Sequence, residues 1–217
     1  MTRSLRERLL RGWTDTMTAL GTAPDDPAVA ALGRDLLDCW NEPHRDYHGP
    51  DHLVAGLGVL ADLSAPPIEV VAWWFHDAVH HNDPPLDEQQ SAELARSRLT
   101  GLLAPDQVDE VARLVLVTIN HNPTSEDTAG HRVCDADLAI LAADWPSYQR
   151  SIAALRHERT ELNDIEWDKV RIAVTGTLLN RPRLFHTHRG ATDWEQPARR
   201  NLNAERHALF TPEEPTR

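Results

Sequence analysis

The stretch Trp73-Trp74-Phe75-His76-Asp77-Ala78-Val79-His80-His81 limits what this chain can fold into more than any other part of it. Its first half is apolar and belongs in a core. Its second half carries imidazoles and a carboxylate, which are costly in a core unless they have partners. An element that is buried along its shaft and polar at its tip places a site at the tip. Twelve histidines are the one compositional excess, and His44, His48, His52, His76, His80 and His81 gather in the same region.

Apolar residues recur at three and four through most of the chain, so the fold expected is all-α, with about eight to ten helices. The periodicity predicts helices over Leu5 to Leu20, Ala28 to Trp40, Pro50 to Leu63, Leu86 to Leu99, Asp106 to Asn120, Trp145 to Leu162, Asp164 to Leu179 and Thr192 to Phe210. Between Leu63 and Leu86, Ser64-Ala65-Pro66-Pro67 makes a break with Ser64 or Ala65 as the cap. Ile68, Val71, Trp74, Phe75 and Ala78 then trace a helix with His76 and Asp77 near its C-terminal end. Pro123 to Gly130 reads as a polar loop and the most mobile internal segment, and Val133 to Leu141 as a short helix. Thr211 to Arg217 reads as a frayed tail.

The 217 residues fit one domain, with the site core over 44–141 and the helices of 146–210 packed onto it. A net charge of −12 argues against nucleic acid and anionic membrane as partners. No stretch approaches the roughly 20 apolar residues of a membrane span. The N-terminus lacks the apolar centre of a signal peptide, and Cys39 and Cys134 have no CxxC spacing, so the expected setting is the reducing cytoplasm. Both cysteines and the seven tryptophans read as core residues.

His52, His76, Asp77 and Asp137 are the strongest candidates for chemistry, because imidazole and carboxylate suit Zn, Fe, Mn, Co, Ni or Mg. His48 and His52 stand four apart at the start of the third helix and would face one way if the helical turn reaches back to His48. His76 and Asp77 point about 100° apart on a regular helix, so both serve one ion most easily at a helix end. Asp135 and Asp137 cannot share a face.

The order His52, then Trp73-Trp74-Phe75-His76-Asp77, then Asp135-Ala136-Asp137-Leu138 resembles the H...HD...D signature of the HD superfamily of all-α metal-dependent phosphohydrolases. Longer elements are similar to one subfamily, the predicted metal-dependent phosphohydrolases of that superfamily. These are Arg45-Asp46-Tyr47-His48 with His52, Asp87-Glu88-Gln89-Gln90-Ser91-Ala92, and Arg181-Pro182 with Leu184-Phe185, Glu195, Ala198-Arg199 and Asn201-Leu202. The resemblance implies an HD-like helical bundle in which His52, His76, Asp77 and Asp137 bind a divalent metal ion. It implies hydrolysis of a small phosphorylated substrate such as a nucleotide. Position 80 departs from the pattern, since many HD phosphohydrolases carry Glu where this chain has His80.

With that carboxylate missing, His48, Glu88 and Arg45 are the auxiliary catalytic candidates, Arg45 as a fork for phosphate. Each has a plainer reading: His48 as a helix-entry residue, Glu88 as a first-turn acid, Arg45 as the partner of Asp46 or Asp51. His80 and His81 read as solvent-facing loop residues, with extension toward a second metal as the alternative, and His121 shares that ambiguity. Arg181 and Arg183 read as serving C-terminal packing or a helix end. The competing functions are a non-catalytic HD-fold module for metal or a phosphorylated ligand, and a zinc store or sensor.

Overall fold

Prolines mark where many of the helices begin. In a computed structural model of the chain, which describes residues 1–210, α2 (Pro27–Cys39), α3 (Pro50–Asp62), α4 (Pro67–Phe75), α6 (Pro105–Val117) and α8 (Trp145–His157) carry one in the first turn. There the missing N–H is one that no helix could satisfy internally. The other helices are α1 (Arg3–Ala19), α5 (Leu86–Leu99), α7 (Thr128–Leu138), α9 (Asp164–Leu179) and α10 (Glu195–Phe210). A 3-10 turn (Ala139–Ala142) extends α7, and a π-helical turn (Gly190–Trp194) leads into α10. Among the described residues there is no strand, only a single bridge between Thr100 and Leu103, so the chain is all-α. None of these helices is long and apolar enough to cross a membrane.

Both α5 and α9 have the bounds that the periodicity predicts. Four expectations need correction. Pro66, rather than Ser64 or Ala65, occupies the N-cap of α4. The loop expected over 123–130 gives way to α7 at Thr128, because the Asp127 carboxylate caps that helix at the Gly130 N–H (2.9 Å) while Arg113 of α6 grips the same carboxylate. Helix α8 stops at His157, short of Leu162, with Glu158 as its C-cap. Cys39, Trp145 and Trp194 are only partly buried, whereas Cys134 and the other five tryptophans are buried. The tail expected over 211–217 lies outside the described residues.

One apolar cluster draws on α1 to α7 and holds Trp13, Trp40, Trp73, Trp74 and Phe75. A second gathers Leu141, Tyr148, Leu184, Phe185, Ala198 and Leu202 from the C-terminal part. Val71 to Phe75 are buried without a gap, so α4 has no solvent face along that length. Three indoles buried here donate to carbonyls: Trp13 Nε1 to Val29 O (2.9 Å), Trp40 Nε1 to Trp74 O (2.9 Å) and Trp73 Nε1 to Leu53 O (3.0 Å). Burying an indole without such a partner would cost much of what its area contributes.

Helix α7 ties the two clusters together through its two carboxylates, which face apart as their spacing demands. Asp135 accepts from the His186 and Thr187 N–H groups (2.8 Å each) and from the Thr187 hydroxyl (2.7 Å), fixing the chain that leads to α10. A Cβ on Gly190 would stand 2.4 Å from Asp135 Oδ2, so this close approach requires glycine. Asp137 turns the other way, toward the ends of α3 and α4.

Candidate metal centre

Four side chains from three elements converge where α4 ends. His52 lies in the first turn of α3, His76 is the C-cap of α4, Asp77 follows it, and Asp137 sits in the last turn of α7. His52 Nε2 stands 3.1 Å from Asp137 Oδ1 and 3.8 Å from Asp77 Oδ2; His76 Nε2 stands 3.0 Å from Asp77 Oδ2 and 3.8 Å from Asp137 Oδ1. One ligand atom each from His52, His76 and Asp137 lies within 4.8 Å of the others. The helix end resolves the problem of adjacent ligands, because the chain leaves the helix at His76 and Asp77 is free to turn back.

These residues fit a divalent cation on two counts. Both Nε2 atoms are buried and make no well-aligned hydrogen bond, an arrangement that disfavours an empty, uncharged core. The His76 ring is also set for ligation: Nδ1 lies 2.8 Å from the Trp73 carbonyl, which can only accept, so Nδ1 carries the proton and neutral His76 presents its lone pair at Nε2. Trp73 stacks on the same ring at 3.9 Å between centroids. Two imidazoles and two carboxylates are a nitrogen–oxygen donor set suited to Zn, Fe, Mn, Co or Ni.

The electrostatics are those of a charged group of ligands. Burial opposes the imidazolium form of His76, but the Asp77 and Asp137 carboxylates outweigh it and raise the pKa to about 9. Burial would likewise raise Asp77, yet His76 holds it well below the ordinary carboxylate range. Asp137 is held low in the same way against its burial, by His121 first and His52 next.

The backbone beneath the doublet is held from outside. Arg45 Nη1 donates to Asp77 O (2.5 Å) and Nη2 to Ala78 O (3.1 Å), while its Nε donates to the Glu42 carboxylate (2.9 Å). Its side chain has no solvent exposure, so Arg45 is not a fork waiting for phosphate; it fixes the doublet's main chain. Ser91 of α5 brackets Val79, accepting from its N–H (3.0 Å) and donating to its carbonyl (3.3 Å). His44 donates to His80 O (2.8 Å), and Asp87 accepts from the His81 N–H (2.8 Å).

A second group of titratable side chains adjoins the first. Glu158 is fully buried; Oε1 accepts from the N–H groups of Asp46, Tyr47 and His48 (2.7–2.8 Å), and Oε2 takes His48 Nδ1 at 2.6 Å. Burial would raise Glu158, but the hydrogen bond from His48, and then the nearby His80 imidazole, hold it below the usual glutamate range. Burial lowers His48, with Glu158 opposing. His80 is buried rather than solvent-facing, its unpartnered Nε2 lying 3.5 Å from Glu158 Oε2. The ligand atoms of His48, His80 and Glu158 are also close enough to one another to hold an ion. His81 is exposed.

His48 lines two small cavities. One, of about 200 Å³, also holds Asp77, His80 and Glu88; the other, of about 200 Å³, holds Tyr47, His121 and Asp137. Glu88 has a buried, unpartnered Oε2, and burial raises its pKa, with the Asp77 and Asp87 charges acting the same way. Asp87 is committed to the backbone of the loop before α5. His121 donates from Nε2 to Asp137 Oδ2 (2.7 Å) and thereby orients a candidate ligand.

Periodicity had no means of finding Glu158 or the orienting role of His121. Glu158 ends a helix in a run of charges that reads as a solvated surface, and its partners lie some hundred positions earlier. His121 has a left-handed backbone (φ 47°) just past α6, a conformation with no mark in the residue type. Compared with protein-family models, with curated proteins and with solved structures, the chain finds no match.

Proposed function

We propose that this chain is a metal-dependent phosphohydrolase of the HD type, acting on a nucleotide or other small phosphate ester, with His52, His76, Asp77 and Asp137 as its metal ligands. The observation that carries this reading is the convergence of these four side chains at the ends of α3, α4 and α7, with the Nε2 atoms of both histidines buried beside carboxylate oxygens and without a well-aligned hydrogen bond. When bound, a divalent ion would supply Lewis acidity, polarising a phosphoryl oxygen and activating water near neutral pH.

The chain's own residues do the rest. The Trp73 carbonyl holds one His76 proton on Nδ1, so that Nε2 is the nitrogen that gives up its proton to an incoming ion, and His121 fixes the rotation of Asp137. Glu158, an acceptor at both oxygens, requires the His48 proton to sit on Nδ1. His48 Nε2 is thereby left to take up or return a proton at the cavities it shares with Asp77 and Asp137. Glu88, its acid form favoured by burial, is the carboxyl group that stands in the Asp77 cavity in place of the one missing at position 80.

His80 supports a second reading, a non-catalytic module that holds metal or a phosphorylated ligand. Untagged protein assayed for bound metal, then for turnover of nucleotides and phosphate monoesters with Mn, Mg, Co, Ni and Zn in turn, separates the two. Turnover that disappears in Asp77→Ala supports the enzyme. Ligand binding without turnover in any metal supports the module, and protein that neither carries nor takes up metal rules out the enzyme and the metal-holding form of the module.

A further inference from the structure

A further cavity is lined in part by His121. It is an open groove of about 860 Å³ between the loop after α6 and the connection from α9 to α10. Its charged or titratable lining consists of Arg181, Arg183, His121, His131 and His186, with amides and hydroxyls making up the polar remainder and no carboxylate. In a chain of net charge −12 such a surface is exceptional.

Arg181 is the most informative of these. It is partly buried and donates to Asn120 O (2.8 Å) and His121 O (3.5 Å), yet it forms no ion pair among the described residues. Burial pulls its pKa below the usual arginine value, with no carboxylate to offset it. Carbonyl contacts orient a guanidinium without neutralising it, and a partly buried, unneutralised guanidinium is suited to an anion. Arg183 is exposed and makes no ion pair among the described residues. His131 and His186 stack at 5.2 Å and commit their Nε2 atoms to the carbonyls of Thr124 and His121. Acids close by are otherwise engaged: Asp137 by the His121 ring, Asp135 by three donors, and exposed Glu126 by the Ser125 hydroxyl.

We infer that this groove binds the phosphate groups of a small anionic ligand, with Arg181 and Arg183 as the charged contacts. Its volume falls among those of small-molecule sites, and the acidity of the whole chain disfavours a nucleic acid there. The groove is also wired to the metal centre. Arg181 and His186 hold the His121 carbonyl, and the His121 ring holds Asp137. The phosphate has two sources: the distal phosphate of the substrate, in which case the inference rests on the proposed hydrolase, or a separate phosphorylated ligand.

The test is calorimetric titration of inorganic pyrophosphate into the full chain at physiological salt after chelation of divalent metal. Wild type and Asp77→Asn are expected to bind alike, and Arg183→Glu to bind about tenfold more weakly or worse, with unchanged helix content and metal uptake. Among the described residues Arg183 makes no side-chain hydrogen bond or ion pair, so the variant should fold. Absence of pyrophosphate binding in the wild type, or equal binding in Arg183→Glu, overturns the inference. Should the protein turn over phosphate esters, a raised KM in Arg183→Glu for nucleoside diphosphates but not for p-nitrophenyl phosphate assigns the groove to the substrate. Unchanged KM for both, with pyrophosphate still bound, assigns it to a separate ligand. Failure of the hydrolase reading leaves the titration intact, so the two fail separately.

Discussion

Glu158 and His48 meet at 2.6 Å across 110 positions of sequence, and the other oxygen of the same carboxylate gathers three consecutive N–H groups of the turn that ends in His48. One buried group thus fixes both the ring and the main chain of a residue beside the candidate metal centre.

Replacing Glu158 with Gln keeps the volume but sets an amide N–H₂ or a weaker acceptor against these donors. A loss of about 1.5–3 kcal/mol is expected, the scale of hydrogen bonds to a charged group. The folded pKa of Glu158 lies below its unfolded value of about 4.3, so the unfolded state binds more protons in acid. The stabilisation is therefore complete above that value and disappears as pH falls through the folded pKa. Urea midpoints measured from neutral pH into acid should show the gap between wild type and Glu158→Gln closing at the acid end; a constant gap would contradict the assignment.

The ligand set predicts a linkage between metal and stability. Adding Mn or Zn should raise the melting temperature of wild type by mass action, about 2.7 kcal/mol at a hundredfold excess over Kd. In Asp137→Asn and His52→Ala the rise should be small or absent. Equal shifts in all three proteins would place the ion elsewhere.

The clamping role of Arg45 can be tested against the phosphate-binding role that the sequence suggests. As the clamp on the Asp77 and Ala78 carbonyls, its replacement by Lys should weaken metal affinity about 10–100-fold, the usual effect of disturbing the support of a ligand. A residue that gripped phosphate would instead change KM and leave metal affinity alone. Competition with a fluorescent chelator reads the first effect directly.

Gly56 lies on α3 against the Trp73 indole, where an added Cβ would come within 1.9 Å of the ring. Gly56→Ala should therefore cost about 1–3 kcal/mol through overpacking. Because Trp73 stacks on His76, the same change should lower metal uptake measured well below the melting temperature. Destabilisation with normal uptake would mean that the indole can move without carrying the imidazole along.

What could be read from sequence alone was what depends on near neighbours. The bounds of α5 and α9, the burial of Trp73 to Phe75 and the opposed directions of Asp135 and Asp137 all follow from local periodicity. The doublet at a helix end was legible because Asn82-Asp83-Pro84-Pro85 marks a loop soon after it. What escaped depends on partners far along the chain. Arg45 reads as a phosphate fork or as the partner of Asp46 or Asp51 until the carbonyls of residues 77 and 78 are brought beside it, and His80 reads as solvent-facing until the structure shows it buried beside Glu158. The start of α7 at Thr128 was hidden because its cap is itself held by Arg113, fourteen residues earlier.

The carbonyls of Trp73, Trp74, Asp77, Ala78, Val79 and His80 are each taken by a side-chain donor: His76, Trp40, Arg45 twice, Ser91 and His44. A main chain pinned at so many points cannot breathe to suit its guest. If the four side chains hold an ion as proposed, such a cage would discriminate by ionic radius, favouring ions that match a fixed aperture over larger ones such as calcium, which flexible oxygen-rich loops accommodate.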